Sequence, residues 1–277
     1  MLMMEFYAAS GPRLMLDETS VFDIGSCVVD GVDISPGRAI PDDGDPRIDH
    51  SLEGFLFTCG PDHIRHPEPV EGMPGLKFPL HGSFSASPAK VTHFSIGERV
   101  SRASALISVR LASGSMARLE RSWEIDGETG VVTLADRVTN NGSSSFPAML
   151  MYHMNIGAKY LDAGVRLSGA MFHPPVMNWT FGEGDGTVFC VPAGSGVAAA
   201  SLGPIRALGG KTLSVSFDTA ALPFLQMWRN QSEPANVVGI EPASHDWKSR
   251  TDLAIDGAMS PLAPGESQTY GLSFAFL

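Results

Sequence analysis

The 277-residue sequence predicts an all-β fold, mostly antiparallel, with few short helices, and three observations carry that expectation. Thirty glycines and twenty prolines are scattered along the chain, about 18% of it against ~12% in average usage, so turns punctuate it throughout. Polar–apolar alternation recurs at strand length. No internal repeat, heptad pattern, long charge run or convincing amphipathic helix competes with it. All-β folds of this size often form one domain, so the expectation is a single β-sandwich over residues 1–277.

The segments justify this in chain order. "SPGRAIPDDGDPRID" (35–49) and "GPDHIRHPEPVEGMPG" (60–75) hold too much Pro and Gly for a helix and read as surface loops. "SWEIDGETGVVTLADRV" reads as two strands joined through Asp126-Gly127-Glu128-Thr129-Gly130, the turn-rich link of an antiparallel hairpin. In "PAMLMYHMNIG" (147–157), extended backbone puts Met151, His153 and Asn155 on one face and Tyr152 and Met154 on the other. "GEGDG" (182–186) reads as a further turn. "LSVSFDT" sets Leu213, Val215 and Phe217 against Ser214, Ser216 and Asp218, the pattern of a half-buried strand. In "VVGIEPASHD" (237–246), Pro242 biases Glu241 to extended geometry and has no ladder donor, which predicts a strand edge or end. "YGLSFAFL" closes the chain with Tyr270, Leu272, Phe274 and Phe276 on one face.

The formal net charge of −11 would repel nucleic acid or an anionic membrane surface, and it suits a neutral small molecule better. The start, "MLMMEFYAAS", lacks a basic leader segment, and no apolar run reaches the ~18 residues of a membrane span, so a soluble cytoplasmic protein is expected. Cys27, Cys59 and Cys190 are odd in number and far apart, which fits a reducing compartment and buried thiols rather than a zinc site. Either a monomer or a homodimer is compatible with the sequence.

Three residues draw chemical interest. His153 and Glu241 each interrupt an apolar run, and His81 precedes Gly82, a residue with no side chain to crowd a ligand. Taken singly, each also fits a hydrogen-bonded structural group. "HIRH" (His63, His66), with Glu68 and His81, could be imagined as a metal site. A solvated or cleft-lining loop is the better reading, because no HExxH, paired CxxC or similar ligand spacing supports a metal. Trp179 and Trp228 could each offer a ligand an aromatic face or pack in the core, while Trp247 reads as peripheral. His50, His173 and His245 default to the surface, His245 standing four residues from Glu241. The absence of a GxSxG elbow, a Walker loop or a GxGxxG turn argues against serine hydrolases, nucleotide-dependent kinases and nicotinamide enzymes.

As an ordered set, "GFLFTCG", "LHGSFSASPAK", "DRVTNNGSSSFPAMLMYHMNIGAKYLD", "VVGIEPAS" and "LAPGES" resemble the aldose 1-epimerase (galactose mutarotase) relatives. More closely, they resemble a domain-of-unknown-function branch of that group, over roughly residues 20–277. The resemblance implies a galactose-mutarotase-like β-supersandwich with a cleft for a hexose or related sugar. It also implies cofactor-free interconversion of anomers, with His153 as general acid, Glu241 as general base and His81 orienting the sugar. Gln226 and Trp228 lie where relatives bring a strand into the cleft, and Asn155 shares the face of His153, so these are expected sugar contacts. Two departures stand out. The "NRI"-like segment that carries the mutarotase arginine is absent, leaving Arg47 and Arg65 as candidates; the "DHNF"-like aspartate is also missing, and Asp162 in "KYLDAG" matches the uncharacterised branch. The departures keep two alternatives open. One is an isomerase, lyase or hydratase moving a proton from carbon in a keto-sugar or sugar derivative, and the other is a non-catalytic sugar-binding protein.

Overall fold

The computed structural model describes residues 3–36 and 54–277, so Arg47 and His50 lie outside the described residues. Its strands, in chain order, are β1 (Met3–Phe6), β2 (Arg13–Asp17), β3 (Asp23–Val29), β4 (Val32–Asp33), β5 (Leu56–Cys59), β6 (Ala89–Ser95) and β7 (Val100–Arg110). There follow β8 (Met116–Asp126), β9 (Val132–Asn140), β10 (Phe146–Pro147), β11 (Met151–Gly157), β12 (Arg166–Gly169), β13 (Val176–Asn178) and β14 (Gly186–Pro192). The last are β15 (Val197–Ile205), β16 (Lys211–Asp218), β17 (Phe224–Asn230), β18 (Val237–Ala243), β19 (Pro261–Leu262) and β20 (Ser267–Phe276). A single six-residue helix, α1 (Arg250–Ile255), and two one-turn 3-10 helices complete the described residues. Ser249 caps α1 by accepting a hydrogen bond from the Asp252 N–H at 3.1 Å.

Two nine-stranded antiparallel sheets result, as the alternation predicted. One runs β1-β2-β3-β5-β11-β18-β17-β14, with β4 paired to β3; the other runs β13-β12-β15-β16-β20-β9-β8-β7-β6. The 126–130 turn joins β8 to β9, and Asp126 Oδ1 holds it by accepting from the N–H groups of Glu128 and Thr129. The apolar faces of β16 (Leu213, Val215, Phe217) and β20 (Tyr270, Leu272, Phe274) are buried, and each such side chain contributes roughly 1.5–3 kcal/mol. Phe55 meets Phe274 across the sandwich at 5.5 Å between ring centres. Trp123 of the second sheet donates its indole N–H to the carbonyl of Phe22, in the turn just ahead of β3, at 2.9 Å. No helix among the described residues is long and apolar enough to cross a membrane.

A buried ionic cluster ties the layers together behind β5 and β11. Arg121 donates to both oxygens of Asp136, at 2.9 and 2.6 Å, and to Thr58 Oγ1 at 2.7 Å, and it also pairs with Asp23. Tyr152, on the inner face of β11, adds its hydroxyl to Asp136 at 2.9 Å. Every charge here has an opposite partner and several hydrogen bonds, the condition under which buried ions are tolerable. The cluster thereby fixes the strand whose outer face carries His153.

Two sequence expectations are corrected. Residues 61–65, expected in a surface loop, are buried. The loop can go inside because its polar groups find partners: Asp62 accepts from the Ser83 and Ala112 N–H groups, Arg250 donates to the Asp62 carbonyl, and His63 Nε2 meets the His66 carbonyl at 2.6 Å. The second correction concerns β18, which is central, with Glu241 inside it rather than at an edge. Its ladder with β11 is interrupted between the Met151–Ala243 and Met154–Ile240 pairs, so Pro242 sits where no N–H is called for.

Candidate active site

Strand register assembles the site. Phe57 of β5 pairs with His153 of β11, the flanking pairs put His153 opposite Glu241 of β18, and Glu241 pairs with Gln226 of β17. Four remote segments thus contribute one row across the sheet. Period-two alternation sends Tyr152, Met154 and Ile156 into the main core and leaves Met151, His153 and Asn155 on the other face, as expected from the sequence.

His153 Nε2 lies 3.1 Å from Glu241 Oε1, close enough for an ion pair but not aligned as a hydrogen bond. Gln226 donates its amide N–H to Glu241 Oε2. Phe57 stacks on the His153 ring at 4.4 Å, Trp228 meets it edge-on at 5.4 Å, and His81 lies 5.5 Å away between ring centres. These aromatic contacts hold the imidazole in place. Room for the carboxylate comes from Gly239: a Cβ there would stand 2.4 Å from Glu241 Oε1 and 3.2 Å from His153 Cε1.

His81, His153, Gln226 and Trp228 face a cavity of about 200 Å³, below the ~300–1,000 Å³ of drug-sized ligand sites. Arg65, His66, His81, His153, Gln226 and Trp228 line it, with Trp247 at the rim. Glu241 has no exposed surface and lies behind His153 and Gln226. Trp247, expected to be peripheral, belongs to this wall because the chain after β18 turns back over Arg65, whose guanidinium sits 4.9 Å from its ring.

Backbone bonds position His81. Its N–H donates to the Arg65 carbonyl at 2.8 Å, and its carbonyl accepts from Gly60 at 2.9 Å. It adopts a left-handed φ of 61°, uncommon for a residue with a side chain. Gly82 serves this turn rather than ligand access: a Cβ there would come within 2.1 Å of the His63 carbonyl oxygen.

The other expected contacts are placed elsewhere. Asn155 is buried, donates to the Gly54 carbonyl at 3.1 Å and is not part of the cavity wall. Asp162 sits in a surface turn, accepts from the Gly164 N–H at 2.7 Å and lies 3.4 Å from Arg206. Trp179 is a core residue bonded to the Asp162 carbonyl. His245 is buried rather than at the surface; its ring meets Ser244 Oγ at 2.7 Å, and its carbonyl accepts from Arg65. His173 is exposed, as expected. Among the described residues no group of three or more His, Cys, Asp or Glu side chains converges as a metal-ligand set.

Burial sets the protonation tendencies. Desolvation pushes Glu241 up to about 8, against the lowering effects of Arg65 and the Gln226 hydrogen bond. It pulls His153 down to about 3 and His81 well below the usual imidazole range, with the charge of His153 adding to the effect on His81. The interior therefore favours the uncharged carboxyl–imidazole pair, with the proton on Glu241.

A galactose-mutarotase-like β-sandwich with a buried histidine–glutamate pair on one sheet face is the class of fold this architecture defines. The chain belongs to the family described as a domain of unknown function, DUF4432, which it matches over residues 34–174 and 183–276. No curated protein sequence matches it. Among solved structures it is similar to a candidate aldose 1-epimerase from Klebsiella pneumoniae, with a TM-score of 0.74, 18% identity and coverage of 96% of this chain and 77% of that one. It is similar to a galactose mutarotase related enzyme from Lactobacillus acidophilus, with a TM-score of 0.72 and 12% identity, covering 100% and 97% of the two chains. A galactose 1-epimerase from Lactobacillus acidophilus NCFM gives a TM-score of 0.64 at 11% identity, covering 99% and 94%. At these identities the likeness is one of fold.

Proposed function

We propose that this protein is a cofactor-independent isomerase of the aldose 1-epimerase type, opening and reclosing the ring of a monosaccharide at its anomeric carbon. The observation that carries the reading is the buried pair, His153 Nε2 at 3.1 Å from Glu241 Oε1, with His153 in the wall of a cavity the size of one sugar ring and Glu241 directly behind it. Ring opening removes a proton from the anomeric hydroxyl and delivers one to the ring oxygen, and both oxygens are bonded to the same carbon. A contiguous acid and base answer that demand, each worth about 10²–10⁴-fold.

From the ionic form of the pair, Glu241 takes the hydroxyl proton as His153 gives its own to the ring oxygen; from the uncharged form the two exchange roles, Glu241 giving and His153 taking. The C1–O5 bond breaks, C1 becomes a carbonyl, and rotation about C1–C2 presents its other face. Reversal of the two transfers recloses the ring with C1 inverted. Only protons move between enzyme and sugar. The pair shares one proton, so in its ionic or its uncharged form one partner can donate while the other accepts. Burial favours the uncharged form and Arg65 favours the carboxylate. His153 and Gln226 separate Glu241 from the cavity, so the C1 end of the sugar must replace the His153–Glu241 contact when it binds. His81 orients the ring, and Trp228 offers it an apolar face.

The structural neighbours described as epimerases and mutarotases support the same reading. The acidic chain and its scattered cysteines fit a small carbohydrate as partner and a cytoplasmic setting. Polarimetry on freshly dissolved aldoses tests the proposal: Glu241→Gln and His153→Ala should each fall to the uncatalysed rate. Wild-type rates in either variant would exclude its role.

A further inference from the structure

Among the described residues four arginines are buried, and three of them pair with a carboxylate or use all three guanidinium nitrogens. Arg121 faces two aspartates, Arg250 donates to Glu71 and to the Asp62 carbonyl, and Arg229 uses Nε and both terminal nitrogens on the Phe181 and Gly184 carbonyls and the Gln231 side chain. Arg65 differs. One terminal nitrogen meets only the Met151 thioether at 3.1 Å, the other donates to the His245 carbonyl at 2.9 Å, and Nε has no partner. A guanidinium carries five N–H donors, and a thioether is a weak acceptor. Among the described residues no carboxylate pairs with Arg65 within 4.0 Å, although it is only 6% exposed.

This under-satisfied cation belongs to the wall of the His153 cavity. Among the described residues no carboxylate side chain lines that wall, and Arg65 is the one permanently charged group there, beside His66, His81, His153 and Gln226. Trp247 covers a face of the guanidinium at 4.9 Å, which leaves the edge for acceptors in its plane. A buried cation with no carboxylate in contact is costly even with Glu241 and Asp246 at longer range, and a carboxylate on its edge relieves the cost with charge-assisted, potentially bidentate hydrogen bonds. The acidic surface of the chain does not oppose this, because exposed charges are screened beyond about 8–10 Å in physiological salt.

We infer that the cavity takes a sugar acid, a monosaccharide whose carboxylate is received by the Arg65 guanidinium. The inference rests on the carbohydrate reading above and narrows its substrate class from neutral aldoses to uronates and related oxidised sugars. Phosphorylated sugars share the anionic chemistry but need more room than a carboxylate in a cavity of about 200 Å³.

Titration calorimetry on the wild-type protein with D-galacturonate, D-glucuronate and D-mannuronate, the three parent hexoses and their 6-phosphates tests this. At least one uronate should bind about tenfold or more tighter than its parent hexose, and Arg65→Gln should erase that ratio. Arg65→Lys, which keeps the charge but not the planar fork, should retain part of it. Equal affinity for acid and hexose in the wild type, or a ratio unchanged in Arg65→Gln, would overturn the assignment. Tighter binding of a 6-phosphate than of every uronate would overturn the carboxylate commitment. Catalysed anomer exchange without uronate preference would defeat this inference alone, and failure to bind or turn over any sugar would defeat the carbohydrate reading with it.

Discussion

Replacing Gly239 by alanine perturbs the His153–Glu241 pair without substituting either member. Gly239 lies on β18 two residues before Glu241, on the same face, and its added methyl would stand 2.4 Å from Glu241 Oε1. Ordinary contact begins at 3.4 Å, so the carboxylate must retreat by about 1 Å. Because the obstructing atom is the end of a side chain, the shift is a rotation of Glu241 rather than a break in the sheet. Misplacement of a catalytic group by that amount costs on the order of 10²-fold, which is about 2.7 kcal/mol of transition-state stabilisation. The assay is kcat/KM for anomer interconversion by polarimetry, with circular dichroism and a thermal melt as controls for folding. Gly239→Ala should fold like the wild type and lose about a hundredfold in rate. A variant as active as the wild type would refute the placement of Glu241 at the reacting atoms; a variant that fails to fold would refute the claim that the methyl displaces a side chain alone.

Two further outcomes follow from the same geometry. With burial placing His153 near 3 and Glu241 near 8, the pair holds its single shared proton between those values and loses it as pH rises through about 8. After subtraction of the uncatalysed rate, kcat/KM should therefore be flat through neutrality and fall above about 8; a rate that climbs through that range would mean Glu241 acts alone as base. Arg121→Met should destabilise the fold by about 3–5 kcal/mol in urea unfolding at neutral pH, because it strands the buried carboxylates of Asp23 and Asp136, and a loss below about 1 kcal/mol would contradict the role given to that cluster.

Much of this was legible in the sequence, for definite reasons. The β8–β9 hairpin, β16 and β20 announce themselves by period-two alternation and turn chemistry, both local properties. The conjunction of His153, Glu241 and His81 is what the family resemblance implies; register sets His153 opposite Glu241, and backbone bonds to Arg65 and Gly60 bring His81 beside them. What stayed hidden depends on contacts between distant segments. Residues 61–65 look like a surface loop because nothing local records that Ser83, Ala112 and Arg250 satisfy Asp62. Trp247 enters the wall through the return of the chain after β18, which no periodicity encodes. Gly239 carried a faint signal, a glycine inside an apolar strand two positions from the glutamate, which marks a close approach. Asp162 misled because its motif fits a turn as well as a ligand contact.

The central claim is that the His153–Glu241 pair moves protons at an anomeric centre. Two-dimensional exchange NMR at equilibrium, on the sugar that binds most tightly, measures it directly by following magnetisation between the α and β anomeric protons. The account predicts enzyme-dependent cross-peaks with the wild type and none with Glu241→Gln. Solvent deuterium entering at C2 while the anomers fail to exchange would contradict it.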